Sequence, residues 1–231
     1  MRLARQGLAE LIGTFALVFA GCGAIMVDAT THALGHVGVA ISFGLVIMVM
    51  IYAVGHVSGA HFNPAVTFAF ALTRHFPWRH VAVYWPAQLA GALAAALVLR
   101  GSLGNVAHVG ATLPSGSDGQ AFLWETVLTF FLMFVVMAVA TDTRAVGEAA
   151  AIAIGGTVGL DAMFGGPITG ASMNPARSLG PAIAGGDFTA IWLYIAAPLL
   201  GAAVAAAVYR FLRAEARTQL AEQSPAARDA A

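Results

Sequence analysis

The chain has 231 residues, of which 59% are hydrophobic and only 10% are charged, and its mean hydropathy is +0.81. About a quarter of the residues of an ordinary soluble domain are charged, so this composition excludes that class and indicates a membrane protein. The formal net charge is zero, which gives no indication of a nucleic-acid partner. The single cysteine, Cys22, excludes an internal disulfide, and the sequence predicts neither a metal site nor a cofactor.

Six apolar segments are long enough to be candidate membrane spans. The first segment could instead be a cleaved signal peptide, but Glu10 interrupts it early and no soluble domain follows. We therefore expect six spanning helices, joined by a Gly-rich loop at 101–119 and a short charged loop at 141–148. In chain order the predicted spans are residues 8–27, 37–53, 81–99, 122–140, 149–164 and 191–212.

One motif occurs twice between the predicted spans. Residues 57–67 and 168–178 align over eleven positions without a gap, and the second copy lies 111 residues after the first, from position 63 to position 174. Both copies contain a hydroxyl residue, Gly-Ala, a variable pair and Asn-Pro-Ala. A match of this length indicates an internal duplication.

Each copy of the motif is expected to end a loop and begin a helix. Its Asn is a favoured N-cap, and its Pro suits the first helical turn, where the missing N–H leaves no donor unpaired. The apolar stretches that follow, 64–72 and 175–184, would each be about 15 Å long, roughly half a hydrocarbon core. The sequence thus predicts two re-entrant half-helices that meet near the bilayer midplane.

The two halves of the chain are predicted to be inverted relative to each other, because each contains three spans. The distribution of arginines supports this topology, with the N- and C-termini cytoplasmic. Only Arg100 falls outside, and Arg177 lies within the second loop. The inner side receives Arg2, Arg5, Arg74, Arg79, Arg144, Arg210, Arg213, Arg217 and Arg228.

This pattern resembles the aquaporin (major intrinsic protein) family over roughly residues 5–212. The resemblance implies an all-α membrane protein with six transmembrane helices plus two re-entrant half-helices in an inverted repeat. It also implies one pore per chain, a homotetramer in the lipid bilayer, and passage of water or small uncharged solutes. The paired boxes that carry it are Asn63, Pro64, Ala65, Asn174, Pro175 and Ala176, and Arg177 follows the second Asn by three residues.

Physical arguments indicate how such a pore would work. Non-helical backbone at membrane depth is tolerated where it lines a cavity or is buried in protein. The two Asn amides can donate to a passing oxygen, and the positive ends of both half-helix dipoles repel cations and protons. The loop carbonyls can replace lost hydration as an acceptor ladder formed by Gly59, Ala60, His61, Gly170 and Ser172.

The predicted constriction consists of Phe43, Ala162, Ala171 and Arg177, placed by the resemblance and by spacing. An intramembrane charge such as Arg177 is by default functional. Strict water channels usually carry His at the position of Ala162, so a small residue there predicts a wider filter. The glycerol-facilitator branch usually has Asp where this chain has Ser178.

The segments at 140–148, 170–181 and 192–198 are most similar to the nodulin-like branch of the family. Members of that branch pass glycerol, urea and neutral metalloid acids, with variable water flow. We therefore expect a multisolute channel that excludes protons and ions, with a strict water channel as the alternative.

Several titratable residues outside the predicted constriction have alternative roles to consider. Glu10 and Glu125 could relay protons, but they are more simply buried acceptors that brace the re-entrant loops, whose N–H groups need partners. His56 and His61 could form a pH gate through titration near neutrality. Asp161 has no assigned role, and Cys22 is expected to be inert.

Two other classes of protein are disfavoured. An ion-coupled secondary transporter also uses inverted repeats and broken helices, but it usually needs further ionisable groups at midplane. A membrane enzyme would need a nucleophile–base or metal constellation that the sequence does not offer. The expected organisation is one channel domain at 1–212, built from repeats at about 5–100 and 120–212, with a cytoplasmic tail at 213–231. Short loops favour a bacterial inner membrane.

Overall fold

The computed structural model describes residues 1–141 and 149–222. All regular elements within these residues are helices. Six of them are long and apolar enough to cross a membrane, and two shorter ones begin at the repeated prolines. In chain order the elements are α1 Arg2–Thr31, α2 Gly35–Ser58, α3 Pro64–Leu72, α4 Trp78–Leu103, α5 Ala107–Gly110, α6 Asp118–Thr141, α7 Ala150–Thr169, α8 Pro175–Gly185 and α9 Leu193–Glu222.

The predicted fold class is confirmed, and most predicted bounds are correct to within a few residues. The half-helix α3 has the predicted limits, and α8 is one residue longer than predicted. Helix α9 continues to Glu222, so the predicted tail begins as a helical continuation of the last span, and its cytoplasmic location stays a prediction. The sequence there is polar but Ala-rich, and Ala is the best helix former. The loop predicted at 141–148 and Arg144 and Arg228 lie outside the described residues, apart from Thr141, which ends α6.

The predicted loop at 101–119 is partly structured. Helix α4 continues to Leu103, and the short element α5 is a turn in which His108 and Val109 have positive φ angles of 50° and 58°. Arg100 donates to the carbonyl of Ala184, and this contact joins the C-terminal end of α4 to that of α8. The turn itself lies against the second half-helix, because a Cβ on Gly185 would lie 2.7 Å from the carbonyl oxygen of His108.

Glycines allow the spanning helices to approach each other closely at pseudo-symmetric places. A Cβ on Gly91 would lie 2.2 Å from the carbonyl oxygen of Leu11, and a Cβ on Gly201 would lie 2.2 Å from that of Thr126. These contacts join α1 to α4 in the first half and α6 to α9 in the second. Small residues at such crossings are typical of membrane helices, whose association depends on close packing.

The two halves meet where α2 crosses α7. A Cβ on Gly44 would lie 2.7 Å from the Gly155 carbonyl oxygen, and one on Gly155 would lie 2.6 Å from the Gly44 carbonyl oxygen. This reciprocal contact is the signature of a local two-fold relation between the repeats.

Candidate functional site

The first re-entrant loop adopts a backbone that few side chains favour. Gly59 ends α2 with a φ of 86°, and the non-glycine residues Ala60 and Phe62 have φ values of 51° and 50°. Left-handed conformations of non-glycine residues are energetically costly and persist only where their surroundings hold them. The buried carboxylate of Glu10 provides that hold.

Glu10 accepts hydrogen bonds on both of its oxygens and is fully buried. Its Oε1 accepts from the Ser58 hydroxyl at 2.7 Å and the His61 backbone N–H at 3.0 Å. Its Oε2 accepts from the Phe62 backbone N–H at 2.7 Å and from Gln88 Nε2 at 2.8 Å. The carboxylate thus satisfies backbone donors of the loop that no helix or sheet could pair.

Glu125 makes the equivalent contacts in the second loop and is also fully buried. Its Oε1 accepts from the Thr169 hydroxyl at 2.7 Å and the Ser172 backbone N–H at 2.8 Å. Its Oε2 accepts from the Met173 backbone N–H at 2.8 Å. The left-handed residues recur as well, with φ values of 42° at Ala171 and 53° at Met173.

Two tyrosines complete these braces, and sequence reasoning missed them. Tyr84 donates to the carbonyl of Ser58 at 2.7 Å, and Tyr194 donates to the carbonyl of Thr169 at 2.6 Å. Each tyrosine precedes a close-packing glycine, Gly91 or Gly201, by the same number of residues. This repeated spacing was the available signal.

The Asn side chains of the two boxes cap their own helices and bind the opposite loop. Asn63 Oδ1 accepts from the Ala65 backbone N–H at 2.8 Å, and Asn174 Oδ1 accepts from that of Ala176 at 3.0 Å. In addition, Asn63 Nδ2 donates to the Met173 carbonyl at 2.8 Å, and Asn174 Nδ2 donates to the Phe62 carbonyl at 2.9 Å. The crossed pair ties the N-termini of the two half-helices together, and one proton of each amide is left for another acceptor.

A cavity of about 800 Å³ is lined by residues of both re-entrant loops. Most of its lining is apolar, and the polar groups concentrate along the loops and at Arg177. His56 lies at its lining too, whereas Asp161 does not. The predicted ladder residues Gly59, Ala60, His61 and Ser172 line this cavity, as do Asn63 and Asn174.

A second cavity, of about 410 Å³, adjoins the first. Gly170 lines only this second cavity, together with Asp28 and His36. Phe43, Ala162 and Ala171 line both cavities, so these three side chains stand at the boundary between them. Arg177 lines the larger cavity on its side of the boundary.

Arg177 is buried, and several elements hold it. Its Nη1 donates to the carbonyl of Gly110 at 2.8 Å and to Cys22 Sγ at 3.2 Å, and its Cζ lies 5.0 Å from the centroid of the Phe43 ring. Among the described residues, its Nε and Nη2 have no hydrogen-bond partner. Cys22, expected to be inert, is therefore in contact with the charged residue of the boundary, and this contact was missed.

The Phe43 ring is pressed against α1. A Cβ on Gly21 would lie 2.1 Å from a carbon of that ring, so any larger residue would displace it. Gly21 was also missed, and nothing in its local sequence distinguishes it from other helix glycines. Two consecutive residues of α1, Gly21 and Cys22, thus contact Phe43 and Arg177.

Several other predicted residues lie away from the boundary. Ser178 is fully buried and bonds to Ser172 Oγ at 2.5 Å and to Thr112 Oγ1 at 2.7 Å, so the departure from the glycerol-facilitator pattern falls outside both cavities. The Asp161 side chain is buried, and its Oδ2 has no partner among the described residues. His61 Nδ1 lies 3.0 Å from the Thr67 hydroxyl, and its ring packs against Phe70 at 4.9 Å.

Two titratable side chains in loops outside the membrane-spanning helices, His75 and Asp187, have lowered pKa values. Burial, together with the positive charges of Arg213 and Arg210, lowers the pKa of His75 below its ordinary value. The Thr189 backbone N–H, 3.0 Å from Asp187 Oδ1, lowers the pKa of Asp187. At neutral pH His75 is thus neutral and Asp187 is charged. No group of three metal-ligating side chains occurs in the part of the chain that the structure describes.

Two half-helices whose capped N-termini meet beside a cavity, inside a bundle of six spans, define an inverted-repeat membrane channel. The sequence profile of the major intrinsic protein family matches residues 1–209. The chain belongs to this family, whose members are channels and not enzymes.

Comparison with similar proteins indicates the branch of the family to which the chain is most similar. "Aquaporin NIP1-1" of Oryza sativa subsp. japonica is 53% identical over 208 residues, which cover 89% of this chain and 73% of the relative. "Nodulin-26" of Glycine max is 51% identical over 208 residues, covering 89% and 77%. The solved aquaglyceroporin from Plasmodium falciparum superposes with a TM-score of 0.79 at 28% identity, covering 90% of this chain and 95% of that one. The resemblance to the nodulin-like branch is thereby confirmed.

Proposed function

We propose that the protein is a passive channel for water and small uncharged solutes, with glycerol as the representative solute. The observation that carries this proposal is the composition of the boundary between the two cavities. It consists of one aromatic ring, two methyl groups and one guanidinium, from Phe43, Ala162, Ala171 and Arg177. Urea and neutral metalloid acids have similar size and polarity and are further candidate solutes.

A polyol has a hydroxylated edge and a carbon edge, and this boundary offers a partner to each. The guanidinium of Arg177 lines the larger cavity and can donate to hydroxyl oxygens, which offsets the hydration lost in a narrow pore. Phe43 and the methyl group of Ala162 give an inert surface for the carbon side. A bulkier polar residue in place of Ala162 would narrow the passage and favour water alone.

The loops supply the remaining partners along the path. We propose that the carbonyls of Gly59, Ala60, His61, Gly170 and Ser172 form the acceptor ladder, and that Glu10 and Glu125 hold it in place. Asn63 and Asn174 add donors where the half-helices meet. Because both N-termini carry a partial positive charge, cations and relayed protons meet an electrostatic barrier there, as described for aquaporin-type pores.

We further propose a homotetramer in a cell membrane, with both termini cytoplasmic. Helix surfaces facing away from the bundle carry many exposed large apolar side chains, such as Leu45, Phe131 and Leu160, which suits contact with lipid or with neighbouring copies. Light scattering coupled to size exclusion tests the assembly, since each chain has a mass of 23.7 kDa. A C-terminal reporter that is active only in the cytoplasm tests the orientation.

Stopped-flow light scattering on proteoliposomes tests the transport proposal. An impermeant osmolyte reports water flux through the rate of shrinkage, and a glycerol gradient reports solute flux through the rate of re-swelling. Rates above those of empty liposomes in both assays are expected. Fast shrinkage without glycerol re-swelling would instead identify a strict water channel. Neither result is expected to require an ion gradient, which distinguishes the channel from a coupled transporter.

Ala162→His tests whether the boundary is the filter. The imidazole would occupy the junction of the two cavities, so glycerol permeability is expected to fall at least about tenfold, while water permeability stays within about threefold. Ala140→His is the matched control, because Ala140 lines only the larger cavity and lies at the C-terminal end of α6. Unchanged glycerol flux in Ala162→His, or an equal loss in both variants, would place the filter elsewhere.

A further inference from the structure

Cys22 lies at the junction of three elements. It is on α1, is fully buried, and contacts the side chain of Arg177 on α8 through the 3.2 Å bond from Nη1 to Sγ. The same Nη1 donates to the Gly110 carbonyl in the turn α5. One nitrogen of the filter arginine is thus shared between a sulfur and a carbonyl oxygen.

The turn that carries Gly110 rests directly on Cys22. Gly110 has a φ of 71°, and a Cβ there would lie 2.8 Å from Cys22 Cβ and 3.0 Å from Cys22 Cα. The three preceding residues, Ala107, His108 and Val109, also have positive φ angles, so the turn is held by its surroundings rather than by its own preference. The position of Cys22 therefore affects both acceptors of Arg177.

We propose that Cys22 is a positioning residue that orients the Arg177 guanidinium and thereby sets the selectivity of the channel. Sulfur is a weak acceptor, but here the donor is charged, and hydrogen bonds to charged groups are stronger than neutral ones. With Nη1 directed at Cys22 and Gly110, the orientation of the planar group is restricted. The rest of the guanidinium, whose Nε and Nη2 are buried and lack partners among the described residues, is then kept in one arrangement at the lining of the larger cavity. This inference rests on the proposed function of the filter.

A merely structural role for Cys22 is the competing explanation, because any buried residue that supports a turn could alter flux when it is changed. The substitutions Cys22→Ala and Cys22→Ser separate the two roles. Alanine and serine leave nearly the same space behind, but only serine keeps an acceptor for Nη1. A packing role predicts that both substitutions change the flux equally, whereas a positioning role predicts that serine keeps the native flux and alanine does not.

The experiment measures water and glycerol permeability of proteoliposomes containing the native protein and each variant. Cys22→Ala leaves the Gly110 carbonyl as the remaining acceptor of Nη1, so the guanidinium can rotate into the passage, which obstructs glycerol more than water. In this variant the ratio of glycerol to water permeability is expected to fall about threefold, which corresponds to the lower limit of the free energy that one hydrogen bond contributes. In Cys22→Ser the same ratio is expected to stay within about 1.5-fold of the native value. Equal ratios in the two variants would overturn the proposal.

A double-mutant cycle adds a readout that does not depend on glycerol. In an Arg177→Ala background, Cys22→Ala should produce no further change in water permeability, although it should lower it about twofold in the native background. A persisting effect would assign Cys22 to packing alone and overturn the proposal. If the native protein passes water but no glycerol, the solute proposal fails, and the cycle on water still decides the role of Cys22. Size-exclusion profiles confirm that each variant is folded.

Discussion

The two halves of the molecule share their scaffold and differ at the boundary between the two cavities. In both, a buried glutamate accepts from two consecutive loop N–H groups, a tyrosine fixes the carbonyl that ends the preceding helix, and an Asn caps a half-helix. Arg177, however, has Val66 as its counterpart three residues after the first Asn. The repeated contacts hold both loops and both half-helices, and the single arginine makes the two copies unequal.

The braces themselves are not identical. Glu10 has a fourth donor, Gln88 Nε2, which also donates to the Thr67 hydroxyl at 2.9 Å. By the spacing of the two tyrosines, the second half has Pro198 in the place of Gln88, so Glu125 receives no equivalent bond among the described residues. The first loop thus has a reserve of hydrogen-bonding groups that the second loop lacks.

The largest effect is expected from replacing the glutamates, and it should differ between the halves. Glu125→Gln directs an amide NH2 at loop donors and leaves at least one buried N–H unpaired, at a cost of about 1–3 kcal/mol per group. In Glu10→Gln, the Gln88 amide can flip so that its Oε1, which is buried and without a partner among the described residues, accepts from the new amide in place of the present bond from Nε2. Glu125→Gln should therefore lose more thermal stability and more water flux.

Thermal unfolding of the detergent-solubilised variants, followed by the loss of the monodisperse peak, checks this order. Water permeability of proteoliposomes at matched protein content is the second measurement. Equal losses of stability and flux in the two variants would show that Gln88 does not compensate for the substitution of Glu10. The difference in hydrogen bonding between the two glutamates would then not affect the stability of the loops.

The next effect in size concerns Gln88 directly. Gln88→Met keeps the side-chain length but removes the bonds to Glu10 and Thr67, which should lower stability by about 1–3 kcal/mol because one of those bonds is to a charged group. Water flux should remain, since Glu10 would then resemble Glu125 with three donors. Gln120→Met, on the exposed start of α6, is the control and should change neither quantity. Loss of flux in Gln88→Met at unchanged stability would contradict this.

Sequence reasoning predicted the repeated parts apart from the two tyrosines, and it missed the contacts that occur once. The Asn-Pro boxes indicated both half-helices, and the need to pair loop N–H groups suggested the role of Glu10 and Glu125. The contact of Cys22 with Arg177 joins residues 155 positions apart, and no local pattern encodes it. The left-handed turn before Gly110 is equally invisible, because Ala, His and Val rarely adopt positive φ angles.

The smallest effect is expected from Thr67→Ser, because at this position the first half differs from the second by one methyl group. Thr67→Ser reproduces Ser178 and keeps the hydroxyl that donates to the Asn63 carbonyl at 3.0 Å, so it should cost about 0.8 kcal/mol for the lost methyl group and leave permeability unchanged. Thr67→Val keeps the volume but removes the partner of His61 and Gln88. It should cost about 1–3 kcal/mol. If Ser proves the more harmful of the two in thermal unfolding, then methyl packing rather than the hydroxyl network holds the first loop, and the two loops are stabilised by different means.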